Sequence, residues 1–229
     1  MLTKEHLETL EARIGYAFTE HAYLKRALTH SSFAPGEGGD NERMEFLGDA
    51  VLELCVSEEL FFRFPSMREG DMTKNRASIV CEDALYTAAK QIGLGEYLLL
   101  GKGEDASGGR EKPSVVSDAF EAVIAAIFLD GGLAPAKAFI HRFVLSQLDL
   151  SKPVYEKDHK TRLQELIHAK THGQQVTYRM AGETGPDHQK TFTMQAMLNG
   201  EVLGTGVGHS KQSAGQAAAA DALERYHTK

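Results

Sequence analysis

Asn41-Glu-Arg-Met-Glu-Phe-Leu-Gly-Asp-Ala50 places three carboxylates, Glu42, Glu45 and Asp49, at i, i+3 and i+7. On a helix, at about 100° per residue, they fall within a sector of roughly 60°. Met44, Leu47, Val51 and Leu54 recur on another side and read as a core-facing stripe. A second acidic pair, Asp118 and Glu121, lies in a stretch that is apolar nearly all round, from Ala119 to Leu129. Carboxylates on a largely buried helix are costly unless a cation or hydrogen-bond donors compensate them. Two such helices brought together would form an oxygen-ligand site for a divalent metal, which suits Mg²⁺ or Mn²⁺ better than zinc. The same spacing also marks solvated helix faces. Asp118 and Glu121 sit near a helix start that favours negative charge, with Ser114 or Ser117 available as a cap.

Composition sets bounds without settling the function. The 229 residues are 42% hydrophobic, enough for one large or two modest cores. No apolar run of about 18 residues and no basic-then-apolar N-terminus occurs, so neither a membrane span nor a signal peptide is indicated. Cys55 and Cys81 are isolated and read as reduced thiols of a cytoplasmic protein. Net charge is −7, which by itself argues against a nucleic-acid binder. The charge is unevenly spread, however. Residues 1–150 hold 15 Lys and Arg against 24 Asp and Glu, a net of −9, and residues 151–229 hold 10 against 8, a net of +2. An acidic half repels phosphate unless metal ions neutralise it.

Residues 1–147 read as successive helices, with breakers at 35–39, Pro65 and Gly131-Gly132 and an exposed Gly-rich loop from Gly101 to Pro113. Residues 149–157 look like a linker, in which Pro153 opposes helix continuation. Beyond it the pattern predicts a helix over 158–170 and strands over 174–181 and 190–198. The second strand sets Phe192, Met194, Ala196 and Leu198 on one face. Asn199-Gly200 signals a tight hairpin into a third strand over 201–209, and a final Ala-rich helix runs from about 210 to 226. Gly204-Thr-Gly206-Val-Gly208 hints at a dinucleotide fingerprint, but the third glycine is misplaced because His209 stands where it is needed.

Asn41-Glu-Arg-Met-Glu-Phe-Leu-Gly-Asp-Ala-Val-Leu52 resembles the signature of the bacterial ribonuclease III family. Ala27-Leu-Thr-His-Ser-Ser32, Glu69-Gly-Asp-Met72, Gly108-Gly-Arg-Glu-Lys-Pro-Ser114 and Asp118-Ala-Phe-Glu-Ala-Val-Ile124 follow the same family in order. The resemblance spans about residues 5 to 226. It implies a multidomain chain: an all-α endonuclease domain over 1–150, then an α+β (α-β-β-β-α) double-stranded-RNA-binding domain over 156–226. It implies Mg²⁺, with Mn²⁺ as a substitute, held by Glu45, Asp49, Asp118 and Glu121, of which Asp49 and Glu121 matter most to the chemistry. Glu42 and Glu69 match acidic positions read as outer-shell or substrate-positioning groups. Arg43 reads as a counter-ion for its flanking glutamates, and His30 as a residue of packing or of a helix-end hydrogen bond.

The implied products carry 5′-phosphate and 3′-hydroxyl ends. The implied duties are ribosomal-precursor processing and maturation or decay of structured transcripts. Cutting both antiparallel strands calls for two symmetric sites, hence a homodimer with the signature helix in its interface. No organic cofactor and no membrane partner is expected. For duplex RNA the resemblance points to Gln164, Glu165 and His168 on the first helix of the second domain. It also points to Pro186 and His188 in the loop Gly185-Pro-Asp-His188, and to Ser210 and Lys211 at the last helix. The last helix departs from the family: Gln212 replaces a lysine and Gly215 a glutamate. A rival reading from another class is a catalytically idle, dimeric double-stranded-RNA-binding scaffold, against which the intact set of four ligand carboxylates argues.

Overall fold

A computed structural model describes residues 2–33, 39–149, 151, 154, 159–171, 173–186 and 190–227. The breaker at 35–38, Leu150, most of the linker, and His188 lie outside the described residues. The chain forms two compact units, Met1–Tyr155 and Glu156–Lys229.

In the first unit the described elements are helical: α1 (Lys4–Ile14), α2 (His21–Ala27), α3 (Glu42–Arg63), α4 (Glu69–Ile79), α5 (Glu82–Gln91), α6 (Lys102–Ala106), α7 (Pro113–Gly131) and α8 (Leu133–Phe143). Local chemistry fixes several ends. Thr3 caps α1 by accepting from the His6 N–H, and Gly15, at φ 79°, ends it. Helix α7 starts with Pro113 at its first position and carries no side-chain cap. Ser117 donates instead to the Ser114 carbonyl at 3.0 Å, so neither serine plays the capping role its position suggests.

The all-round apolar sequence of α7 makes it the central helix. Val116, Phe120, Val123, Ile124 and Ile127 are fully enclosed, and α2, α3, α5 and α8 pack around it. Met44 and Val51 of α3 face this core as their spacing predicts, and Leu47 packs partly against it. Leu54 does not: it is 56% exposed. Ten residues of helix carry it about 80° from Met44, outside the stripe made by Val51, Leu52, Cys55 and Val56.

The segment expected as a loop from Gly101 to Pro113 is partly folded. Arg110 organises it, pairing with Asp105 at 2.7 Å and donating to the carbonyls of Gly95, Glu96 and Leu98. This tie lets the short α6 and a 3₁₀ turn at Gly109–Glu111 form.

The second unit contains α9 (His159–Thr171), β1 (Thr177–Thr184), β2 (Thr191–Leu198), β3 (Glu201–Gly208) and α10 (Lys211–His227). The strands form an antiparallel sheet in the order β1-β2-β3. Strand β1 begins three residues later than the pattern suggests, because Gln174 and Val176 are bonded to Gln164 of α9 instead. Asn199 and Gly200, at φ 51° and 87°, make the hairpin turn. A Cβ on Gly204 or Gly206 would collide with the backbone of α10 around Ala214, Ala218 and Ala222. The apparent dinucleotide glycines therefore let a helix seat against the sheet.

Candidate metal centre and RNA-binding face

Gly48 sets the geometry of the acidic site. It lies on α3 between Glu45 and Asp49, and a Cβ there would overlap the Glu121 carbonyl oxygen of α7. With no side chain in the way, the two helices cross at backbone contact, which carries the acidic turn of one onto the acidic turn of the other. Carboxylate oxygens of Glu45, Asp118 and Glu121 consequently lie within 4.8 Å of one another. All three residues are half-buried.

Among the described residues, no hydrogen bond or ion pair compensates this trio. The effect is plain in their acidities. Burial, then the charges of Asp49, Asp118 and Glu45, push the Glu121 carboxyl up to about 8. Burial and the neighbouring charges of Asp118, Glu42 and Asp49 raise Glu45. Asp118 is raised by burial and by Glu82, with His30 pulling the other way. Withheld donors, converging oxygens and mutual repulsion fit a hard divalent cation. Bound there, such an ion would activate water and stabilise charge on phosphate oxygens.

The other acidic candidates take different places. Asp49 is exposed and stands beside the trio, where its charge is the largest acting on Glu121. Glu42 is exposed and acts on Glu45. Glu69 is not brought to the cluster within the chain. It accepts from Thr73 at 2.9 Å and lines a cavity of about 280 Å³ with Ser57, Phe61 and Arg76. Ser57 is two turns beyond Asp49 on α3, a distance of roughly 12 Å. Arg43 is exposed and makes no ion pair among the described residues; its presumed counter-ion role is not seen.

In the second unit, Glu165, His168, Pro186 and Lys211 are exposed. Gln164 is half-buried, and its amide holds the chain between α9 and β1, donating to the Gln174 carbonyl (3.0 Å) and accepting from Val176 N–H (2.9 Å). Ser210 caps α10: its hydroxyl accepts from the Ser213 N–H at 3.0 Å. Those two side chains serve the fold, while the other four stand at the surface.

The Ribonuclease-III-like family matches residues 20–148, and the double-stranded RNA binding motif matches residues 159–226. The "Ribonuclease 3" of Pelotomaculum thermopropionicum is 45% identical over 225 residues, covering 96% of this chain and 93% of the relative. That of Desulfotalea psychrophila is 47% identical over 226 residues, covering 97% and 93%. The chain belongs to the ribonuclease III family. Among solved structures, the nuclease domain of ribonuclease III from Campylobacter jejuni, which has a region involved in dimer formation, is 44% identical with a TM-score of 0.59. It covers 61% of this chain and 96% of that one. As a member of this family the chain is an endoribonuclease with a double-stranded-RNA-binding module. No described helix is long and apolar enough to cross a membrane.

Two residues at the ribonuclease site escaped the spacing argument. Glu82, the first residue of α5, and His30, after α2, both act on Asp118. Neither shares a helix with a candidate ligand, so no helical period could have found them. The one available signal was the Thr29-His30-Ser31-Ser32 block itself.

Proposed function

We propose that the protein hydrolyses both strands of duplex RNA with Mg²⁺, Mn²⁺ substituting, leaving 5′-phosphate and 3′-hydroxyl ends. Glu45, Asp49, Asp118 and Glu121 would hold the metal, and Asp49 and Glu121 would govern the chemistry. The observation that carries this reading is the convergence of three half-buried carboxylates with no compensating donor among the described residues. A purely RNA-binding scaffold has no use for that costly arrangement.

Residues 1–150 would be the nuclease domain, residues 149–157 a linker and residues 156–226 the module that holds the duplex by shape. Glu165, His168, Pro186, His188 and Lys211 would approach the RNA. Two sites would come from a two-fold homodimer. Phe46, Leu54 and Phe61, exposed by 79%, 56% and 62%, lie with Ala50 within roughly 80° of α3. An apolar face of that kind on a family member suits a buried dimer contact. The cellular setting proposed is the cytoplasm, in ribosomal-precursor processing and in transcript maturation or decay.

A gel assay of a perfect RNA duplex tests this directly. Cleavage with Mg²⁺, none with excess EDTA, and 5′-phosphate ends by end-labelling are expected. Binding of the duplex without cleavage in any divalent metal would refute it.

A further inference from the structure

His30 sits on one of the more firmly held loops of the first unit. Its backbone N–H donates to the Leu99 carbonyl at 3.0 Å, next to a parallel bridge between Thr29 and Leu99. The Thr29 carbonyl accepts from the N–H of Asn41, the residue just before α3. Ser32 closes the other side, its hydroxyl accepting from the Gly101 N–H at 2.9 Å. The loop is thereby fixed both to the acidic helix and to the segment before α6.

The same bonds determine how the imidazole is protonated. The Ser32 backbone N–H, which can only donate, reaches His30 Nδ1 at 3.1 Å. Nδ1 must therefore be an acceptor, and the Ser32 hydroxyl at 2.8 Å donates to it as well. The ring proton is left on Nε2. No described residue accepts from that Nε2–H, although the ring is near enough to Asp118 to act on its carboxyl. Asp118 in turn faces Glu45, Glu82 and Glu121. A phosphodiester entering such a field needs donors, and a lysine there would close onto the carboxylates. An imidazole N–H aimed by the Ser32 bonds supplies such a donor from a held loop.

We propose that His30 donates its Nε2–H to a phosphate oxygen of the RNA strand held at the Glu45–Asp118–Glu121 cluster, making it a catalytic residue of the cleavage step. This rests on the functional reading above. The sequence alone assigns His30 to packing or a helix-end hydrogen bond; the orientation fixed by Ser32 is what gives it a different task.

Two substitutions separate the two nitrogens. His30→Asn keeps an acceptor near the Nδ1 position, so the loop bonds to Ser32 survive while the outward donor is lost. His30→Gln keeps an N–H near the Nε2 position and gives up the loop acceptor. Steady-state cleavage of a short perfect duplex at saturating Mg²⁺ would be measured for the full chain and both variants, alongside thermal midpoints. The expected result is a fall in kcat of about tenfold or more for His30→Asn, with KM nearly unchanged and the midpoint retained. His30→Gln should recover most of kcat despite a lower midpoint. The reverse ranking, equal losses, or no loss in either would overturn the role of Nε2. A wild-type chain that fails to cleave would overturn the functional reading instead, and this proposal with it.

Discussion

Helix α7 carries acid towards both ends, and the fold treats the two ends in opposite ways. In its last turns Asp130 accepts from the Tyr16 hydroxyl (2.7 Å), the Thr19 N–H (2.9 Å) and the Glu20 N–H (2.8 Å). Burial pushes its carboxyl up, but those donors, Thr19 foremost, outweigh burial and hold it below the usual range. Burial and the same carboxylate push the Tyr16 phenol up to about 12. About three turns earlier, Asp118 and Glu121 receive no donor among the described residues and face further carboxylates. Identical chemistry on one helix thus becomes a structural clamp where donors are supplied and a candidate cation site where they are withheld. A carboxylate's partners, more than its burial, separate the two roles.

The largest expected effect breaks the acidic end. Glu121→Gln should cut the rate of duplex cleavage by more than about 100-fold, the scale of losing an electrostatic stabiliser of the transition state. Duplex binding should stay within a few-fold, because the shape-reading module is untouched. In EDTA the same variant should melt higher than wild type, since the repulsion that raises Glu121 disappears. Single-turnover cleavage and thermal melting in EDTA check both arms; an unimpaired rate would remove Glu121 from the metal site.

Gly48→Ala attacks the crossing itself. Its new Cβ would overlap backbone rather than a flexible side-chain tip, so α3 and α7 must part. A loss of about 3 kcal/mol is expected, at the upper end for overpacking, with cleavage lost alongside. Chemical denaturation measures the first. A stable, active Gly48→Ala would mean that the helices tolerate separation and that close approach does not set the site.

Much of this was legible from spacing. Periodicity placed Glu45 with Asp49 and Asp118 with Glu121, and the all-round apolar run made α7 central. What periodicity cannot give is which helix crosses which, and where. Gly48 is the visible trace of that crossing, a residue of poor helix propensity retained between two acids. Leu54 was misread because the stripe drifts along a 22-residue helix. The bonds from the Gln164 amide to Gln174 and Val176 were not legible, because nothing local to α9 announces them. Glu82 and His30 reach Asp118 only through tertiary folding.

At the satisfied end, Asp130→Ala should cost about 2 kcal/mol, the combined worth of charged hydrogen bonds that partly persist with water. For a protein of this size that lowers the melting midpoint by roughly 4–8 °C. Cleavage at 25 °C should not change. A loss of activity at unchanged stability would show that the two ends of α7 are coupled after all.

Acidity separates the ends in different pH windows. The raised Glu121 carboxyl keeps a proton in the folded chain that the unfolded chain releases above its ordinary 4.5. Its contribution is therefore complete below that value and drains away as pH climbs towards 8. The lowered Asp130 carboxyl works the other way: it stabilises above its ordinary 3.8 and is lost as pH falls through its folded value. Between pH 5 and 8 only the first should act. Melting in EDTA should show a midpoint falling across that range, and Mg²⁺ should raise the midpoint more at pH 8 than at pH 6. A flat profile in EDTA would argue that Glu121 is already compensated.

The smallest effect extends the comparison to a cation in the second unit. Lys160 Nζ lies 4.6 Å from the centre of the Tyr178 ring. A Cβ on Gly215 would come within 2.5 Å of its Cε and 2.6 Å of its Nζ. Here the departure from the family pattern leaves room for a charge on an aromatic face. Gly215→Ala forces the flexible lysine tip aside and forfeits about 0.5–1 kcal/mol of cation–π attraction. It also relieves about 1 kcal/mol of helix penalty. The two nearly cancel, so stability should move by less than about 0.5 kcal/mol. In a Lys160→Met background no attraction remains to lose, and the flexible thioether can yield to the new methyl group. Gly215→Ala should then stabilise by close to the full helix increment. Denaturant melts of the single and double variants decide: equal gains in both backgrounds would mean that the Tyr178 ring does not hold Lys160, and that Gly215 is a plain helix defect.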